Sequence, residues 1–244
     1  MMQKTNRKII AIVLASMLST PVLADVNQAV EMINRGDFIG AVEELKPMVD
    51  LGYPQALYHQ ATLYEAGKGV SKDLLQAFAL YQRAANRGIP EAQFALAQMY
   101  LEGRGTPKNN RQGFEYTRRA AERGLAAAQY NLAVMYQNGD VVAQNYVKAA
   151  TWYEDAAMQN YALAQFNLAL LYFDGKGVSK SIEQSYIWNR IAAYNGYSPA
   201  EQSMEMDATH LSRDQIKRSR EQADRLYLKI APDVDSVKPY SWSN

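Results

Sequence analysis

The chain has 244 residues, 48% hydrophobic and 21% charged, with a formal net charge of +1 and no cysteine. This is ordinary globular composition; it excludes a disulfide framework, and the balanced charge lacks the basic face that nucleic-acid binding requires.

Residues 1–24 read as a cleavable secretory signal. Lys4, Arg7 and Lys8 supply a positive start, Ile9 to Leu18 an apolar stretch, and Val22-Leu23-Ala24 the small side chains that precede a cleavage site at Asp25. The apolar run is short for a bilayer span, so no stable membrane insertion is expected after cleavage. No cysteine stands at the junction, which rules out the usual lipid attachment of a bacterial lipoprotein. Loss of the three cations turns the formal +1 into about −2. The mature protein is expected in the periplasm or outside the cell.

Residues 25–52 read as a shortened helix pair. From residue 53 the chain repeats every 36 residues without an insertion, in units 53–88, 89–124, 125–160 and 161–196. Tyr64, Tyr100, Tyr136 and Tyr172 share one column, Ala61, Ala97, Ala133 and Ala169 another, and Gly67, Gly103, Gly139 and Gly175 a third. A unit this small cannot bury its apolar face alone, so successive units must stack. Each reads as helix A, a Gly-containing loop, helix B and a turn. Apolar residues in helix A recur at three and four, the helical period. The small Ala column admits a close neighbour, and the Tyr column on the same face is large enough to fill the next gap.

The first loop glycine suits a left-handed helix C-terminus. Asp73, Asn109, Asn145 and Ser181 are good N-caps for helix B, and Gln76, Gln112 and Gln184 three residues on suggest capping boxes. Helix B ends at Gly88, Gly124, Asn160 and Gly196, asparagine being the other residue that tolerates the left-handed region. Val141 stands where the other loops have Gly69, Gly105 and Gly177, so the third loop is expected to take another path. Residues 197–231 hold a last helix A and an amphipathic capping helix after Ser212, with Ile216, Ala223, Leu226, Tyr227 and Ile230 on one face; 232–244 reads as a flexible tail.

These columns resemble the Sel1-like repeat, a relative of the tetratricopeptide repeat. The match runs through Ala56, Tyr64, Gly67-Lys68-Gly69-Val70, Ala77, Tyr81, Ala84-Ala85 and Gly88, and again through Ala164, Tyr172, Gly175-Lys176-Gly177-Val178, Trp188, Ala192-Ala193 and Gly196. Gly36-Asp37-Phe38 with Ala41 resembles a tetratricopeptide turn. The resemblance implies an all-α protein, a right-handed α/α superhelix (solenoid) of four repeats with an N-terminal helix pair and a C-terminal capping helix. It also implies scaffold roles in envelope assembly, signalling or host contact.

The residues offer little for catalysis. His59 and His210, the only histidines, lie at opposite ends of the array, which argues against a metal site or a histidine-based triad. Glu102 and Asp174 share a column but stand two repeats apart, too far for a glycosidase pair. Lys68-Gly69 and Lys176-Gly177 do not follow strands and lack the phosphate-loop spacing. The arginines around repeat two, Arg83, Arg87, Arg119 and Arg123 among them, read as solvated charge at helix ends. No cofactor is expected.

A binding surface is easier to place. If helix A lines the concave face, as it does in related superhelices, His59, Thr62, Gln98, Asn131, Val134, Asn167 and Leu170 face the groove, with Phe173 near its end. Tyr58, Phe94, Tyr130 and Phe166 stand at its edge or in the inter-repeat core. Asparagine offers a donor and an acceptor to a bound backbone, and Val134, Leu170 and Phe173 offer apolar contact. The expected role is a non-enzymatic adaptor for a protein or peptide segment. Cell-wall glycan binding is the alternative, and an envelope hydrolase or β-lactam-binding protein a more remote one, because family members with those roles are rich in cysteine.

Overall fold

The computed structural model describes residues 21–231, and every regular element among them is an α-helix. In chain order these are α1 (Pro21–Arg35), α2 (Phe38–Leu51), α3 (Pro54–Ala66), α4 (Leu74–Asn86), α5 (Pro90–Glu102), α6 (Asn110–Glu122), α7 (Ala126–Asn138), α8 (Tyr146–Ala157), α9 (Ala162–Asp174), α10 (Ile182–Tyr194), α11 (Ser198–Ala208) and α12 (Arg213–Ile230). The expected signal segment, apart from positions 21–24 in the first turn of α1, and the expected tail lie outside the described residues. The described residues form two compact units that divide between Tyr116 and Thr117, within α6.

In the first unit α1 and α2 precede repeat one (α3 and α4) and helix A of repeat two (α5). Pro54 and Pro90 occupy first helical positions, where the missing N–H costs nothing. Gly67 and Gly103 close the helices in the left-handed region, donating back to the carbonyls of Leu63 and Met99. Asp73 caps α4 by accepting from the backbone N–H groups of Leu75 and Gln76. Ala61 and Ala97 are fully buried, as the small column requires. The large column fills the spaces beside them: Tyr100 meets Phe78 edge-on at 5.3 Å and stacks on Tyr116 at 5.9 Å.

The second unit repeats this logic. Gly139 and Gly175 close α7 and α9, Asn145 and Ser181 cap α8 and α10, and Asn160 adopts φ 63°, the expected substitute for glycine. The capping boxes need correction. At α4 and α10 the caps Asp73 and Ser181 accept from the backbone of Gln76 and Gln184 without a return bond from either glutamine side chain, whereas Ser212 and Gln215 at α12 make both halves. Trp188 is buried and Trp152 partly so, in agreement with packing roles.

Successive repeats are keyed by the second loop glycine. Gly69 lies against the Phe38 carbonyl, and Gly177 against Tyr146, both at the start of the preceding helix B; a Cβ at either would overlap that backbone. Both also hold positive φ. Lys68 and Lys176 then reach over the rings of Phe38 and Tyr146, at 4.8 and 5.9 Å. The lysines of the Gly-Lys-Gly loops therefore pack against aromatic faces. Val141 avoids the left-handed region, so the third loop does follow a different course.

A column that sequence reasoning passed over proves important. Gln93, Gln129 and Gln165 are buried in helices A, and each donates to a carbonyl at the end of the preceding helix B: Ala85, Ala121 and Ala157, at 3.2, 3.3 and 3.1 Å. Repeat one has Leu57 in this column, and there Arg83 takes over, donating to the Val49 carbonyl at 3.0 Å. A buried carbonyl at a helix end needs such partners, and two different side chains meet the same need.

Candidate functional site

On each helix A, one strip of positions stands beside the buried Ala and Leu columns. In the first unit it holds Tyr58, His59, Thr62 and Glu65 on α3, and Ala95, Gln98 and Leu101 on α5. Its polar groups largely satisfy each other. Thr62 donates to the His59 carbonyl at 2.7 Å, and the His59 ring meets Tyr58 edge-on at 5.2 Å. Burial pushes the His59 imidazole below its ordinary pKa, while Glu91 pulls it back up. Glu65 accepts from the Tyr81 hydroxyl at 2.7 Å and from Arg104 at 2.6 Å, and Arg104 also pairs with Glu102. Burial and the Glu65 bond raise the Tyr81 phenol far above its usual range. Glu102, considered above as a catalytic acid, is an ion-pair partner of Arg104 at the end of α5; Asp174, its column mate, pairs with Lys176.

In the second unit the strip holds Tyr130, Asn131, Val134 and Gln137 on α7, and Phe166, Asn167, Leu170 and Phe173 on α9. Its chemistry is different: Glu65 has no acidic counterpart, and amides, apolar and aromatic groups fill the strip. Tyr130 packs against Tyr153 and Tyr161 at 5.8 and 5.3 Å, and Phe166 against Tyr197 at 5.1 Å. The aromatic column thus forms inter-repeat core. Asn167 donates to the Leu163 carbonyl at 2.8 Å and bonds the Tyr130 hydroxyl, so part of its capacity is used within the fold. Phe173 is covered by His210 edge-on at 6.3 Å and by the Lys180 ammonium at 5.6 Å. Val134 is half-buried and Leu170 is 40% exposed, large for an aliphatic side chain on a helix where Leu168 and Leu171 are buried and Leu163 half-buried.

The strip extends further than the sequence reading carried it. Ser203 and Met206 on α11 stand 36 residues beyond Asn167 and Leu170, and Met206 is 58% exposed. The signal was the same 36-residue spacing, followed one step further into the final helix pair. Val134, Leu170 and Met206 make one column whose exposure grows toward the end of the unit.

Among the described residues no group of three or more histidines, cysteines and carboxylates could hold a metal ion, and no helix is long and apolar enough to cross a membrane. Stacked helix pairs with capped ends and an exposed strip define an α-helical repeat scaffold. The chain belongs to the Sel1 repeat family: the family model, described as the Sel1 repeat, matches four times in succession, at residues 54–89, 90–125, 126–161 and 162–197. These boundaries lie one residue beyond those read from the columns. Among solved structures, a Sel1 repeat protein from Oxalobacter formigenes superposes with a TM-score of 0.70 at 25% identity, covering 82% of this chain and 84% of that one. A protective antigen of uropathogenic Escherichia coli strains that displays the SLR fold gives a TM-score of 0.51 at 20% identity, covering 90% of this chain and 64% of that one. No protein of curated function matches the chain. Sel1 repeat proteins generally serve as non-catalytic scaffolds for protein–protein interaction.

Proposed function

We propose that the protein is an exported adaptor that docks a protein or peptide segment on the helix A strip of its second unit and performs no chemistry itself. The observation that carries this reading is the exposed Leu170, which shares a column with half-buried Val134 and is flanked by Asn131 and Asn167. An apolar anchor beside amides can fill a side-chain pocket and satisfy a bound backbone at once. The more polar strip of the first unit, with His59, Thr62 and Gln98, favours a hydrophilic contact. Export rests on the charged start, apolar stretch and small-residue junction of the first 24 residues.

Capture from envelope extract by wild-type protein, compared with Val134→Lys and Leu170→Lys, tests the docking reading. Loss of one specific protein in both variants supports it. Equal recovery by all three contradicts it, cosedimentation with purified cell wall points to glycan binding instead, and turnover of labelled muropeptide or β-lactam overturns the non-enzymatic assignment.

A further inference from the structure

Three mostly apolar or aromatic columns change together at the end of the array. Leu63, Met99, Met135 and Leu171 are followed 36 residues on by Asp207; Ala77, Gly113 and Ala149 by Ser185; and Tyr81, Thr117 and Tyr153 by Asn189. The replacements find one another. The Ser185 hydroxyl and the Asn189 amide each donate to the same Asp207 carboxylate oxygen at 2.8 Å. All three residues are at most 2% exposed, so a carboxyl group sits where the other repeats pack hydrocarbon. This cluster is the polar part of the contact between α10 and α11.

The cluster has an imbalance that names its missing component. Its side chains supply donors to the carboxylate, yet the Asn189 carbonyl oxygen is buried with no partner. An orphaned acceptor calls for a donor; the Ser185 hydroxyl is committed to the carboxylate, and Asp207 gains an O–H on protonation. Burial also pushes the Asp207 carboxyl above its ordinary value, against the downward pull of Ser185, Asn189 and His210. On α10, Arg190 pairs with Asp224 of α12 and Glu183 with Arg218 of α12, and Arg220 of α12 donates to the Tyr186 hydroxyl. The remaining influence on the carboxylate comes from His210 in the turn after α11, which lowers it.

We propose that Asp207, Ser185 and Asn189 form a proton-dependent latch that seats α11 on α10 and so presents Met206 as the third member of the Val134–Leu170 column. The consequence for partner binding rests on the docking reading above; the latch itself does not. A carboxyl group that holds its proton more tightly when docked adds stability that is complete below its ordinary value near 3.8 and is lost as pH rises through the elevated one. The latch therefore tightens in acid and loosens toward neutrality.

Hydrogen exchange on the full chain, corrected for intrinsic rates, reads this directly in peptides covering α11 between pH 4 and 7. Wild-type protection rises as pH falls, by up to about tenfold per unit, the limit for one linked proton. Asp207→Asn, which carries the amide equivalent of the protonated acid, holds protection constant across the range, and so does the apolar pair Asp207→Leu with Ser185→Ala. His210→Gln leaves the wild-type trend in place. A flat wild-type profile, or the same slope in Asp207→Asn, overturns the latch whatever the partner does. If instead the latch titrates as described but Leu170→Lys and Met206→Lys capture partner like wild type, the docking reading fails and the latch survives.

Discussion

Gly177 and Gly196 lie in the same unit, both with positive φ, at 73° and 77°. Alanine at either position pays the left-handed penalty of about 1–2 kcal/mol. Only at Gly177 does the new Cβ strike backbone, that of Tyr146 and Val147; around Gly196 nothing lies within 4 Å. Displacing a packed loop from the start of the preceding helix adds about 1–3 kcal/mol. Gly177→Ala is therefore expected to lose about 2–5 kcal/mol and Gly196→Ala about 1–2. Equilibrium urea denaturation of the two variants, with hydrogen exchange at α8 and α9 to localise the loss, measures the difference. Equal losses at the two sites would refute the claim that the second loop glycine keys one repeat to the next.

Two further predictions follow from the buried polar groups. Gln165→Leu removes bonds to the Ala157 carbonyl, to Asn160 and from Asn195, and should cost about 1–3 kcal/mol in thermal or chemical unfolding, even though Leu57 occupies the equivalent position in repeat one; an unchanged midpoint contradicts the carbonyl-satisfaction argument. His59 should titrate by NMR below its ordinary 6.5, and lower still in Glu91→Gln, because burial disfavours the cation and Glu91 partly offsets it. The corresponding stability is present above 6.5 and is lost as pH falls through the depressed value, so a midpoint at or above 6.5 reverses both statements.

Much of this architecture was legible because a 36-residue period turns isolated residues into columns. Ala61 and its copies, the cap residues Asp73, Asn145 and Ser181, and left-handed Asn160 behave as their chemistry requires, each being decided by local backbone geometry. The buried glutamines were not read, because glutamine at that spacing looks like a solvent-facing residue until the helix-end carbonyl beneath it is located. The Asp207 cluster was hidden for a related reason: three substitutions, 22 residues apart at most, make sense only once α10 and α11 are seen in contact. For the strip, spacing alone named the positions, but which were free was a matter of tertiary contact. Phe173 is covered by His210 and Lys180, whereas Met206 is open.

The central claim is that a polypeptide partner lies along the helix A strip of the second unit. Photo-crosslinking from a benzoyl-phenylalanine placed at position 170, with positions 75 and 147 at the exposed starts of helices B as controls, tests it in cells. The account predicts a discrete crosslinked protein species from position 170 that is lost when Val134→Lys is added to the same chain and is missing from 75 and 147. Crosslinks from the helix B positions alone would contradict it.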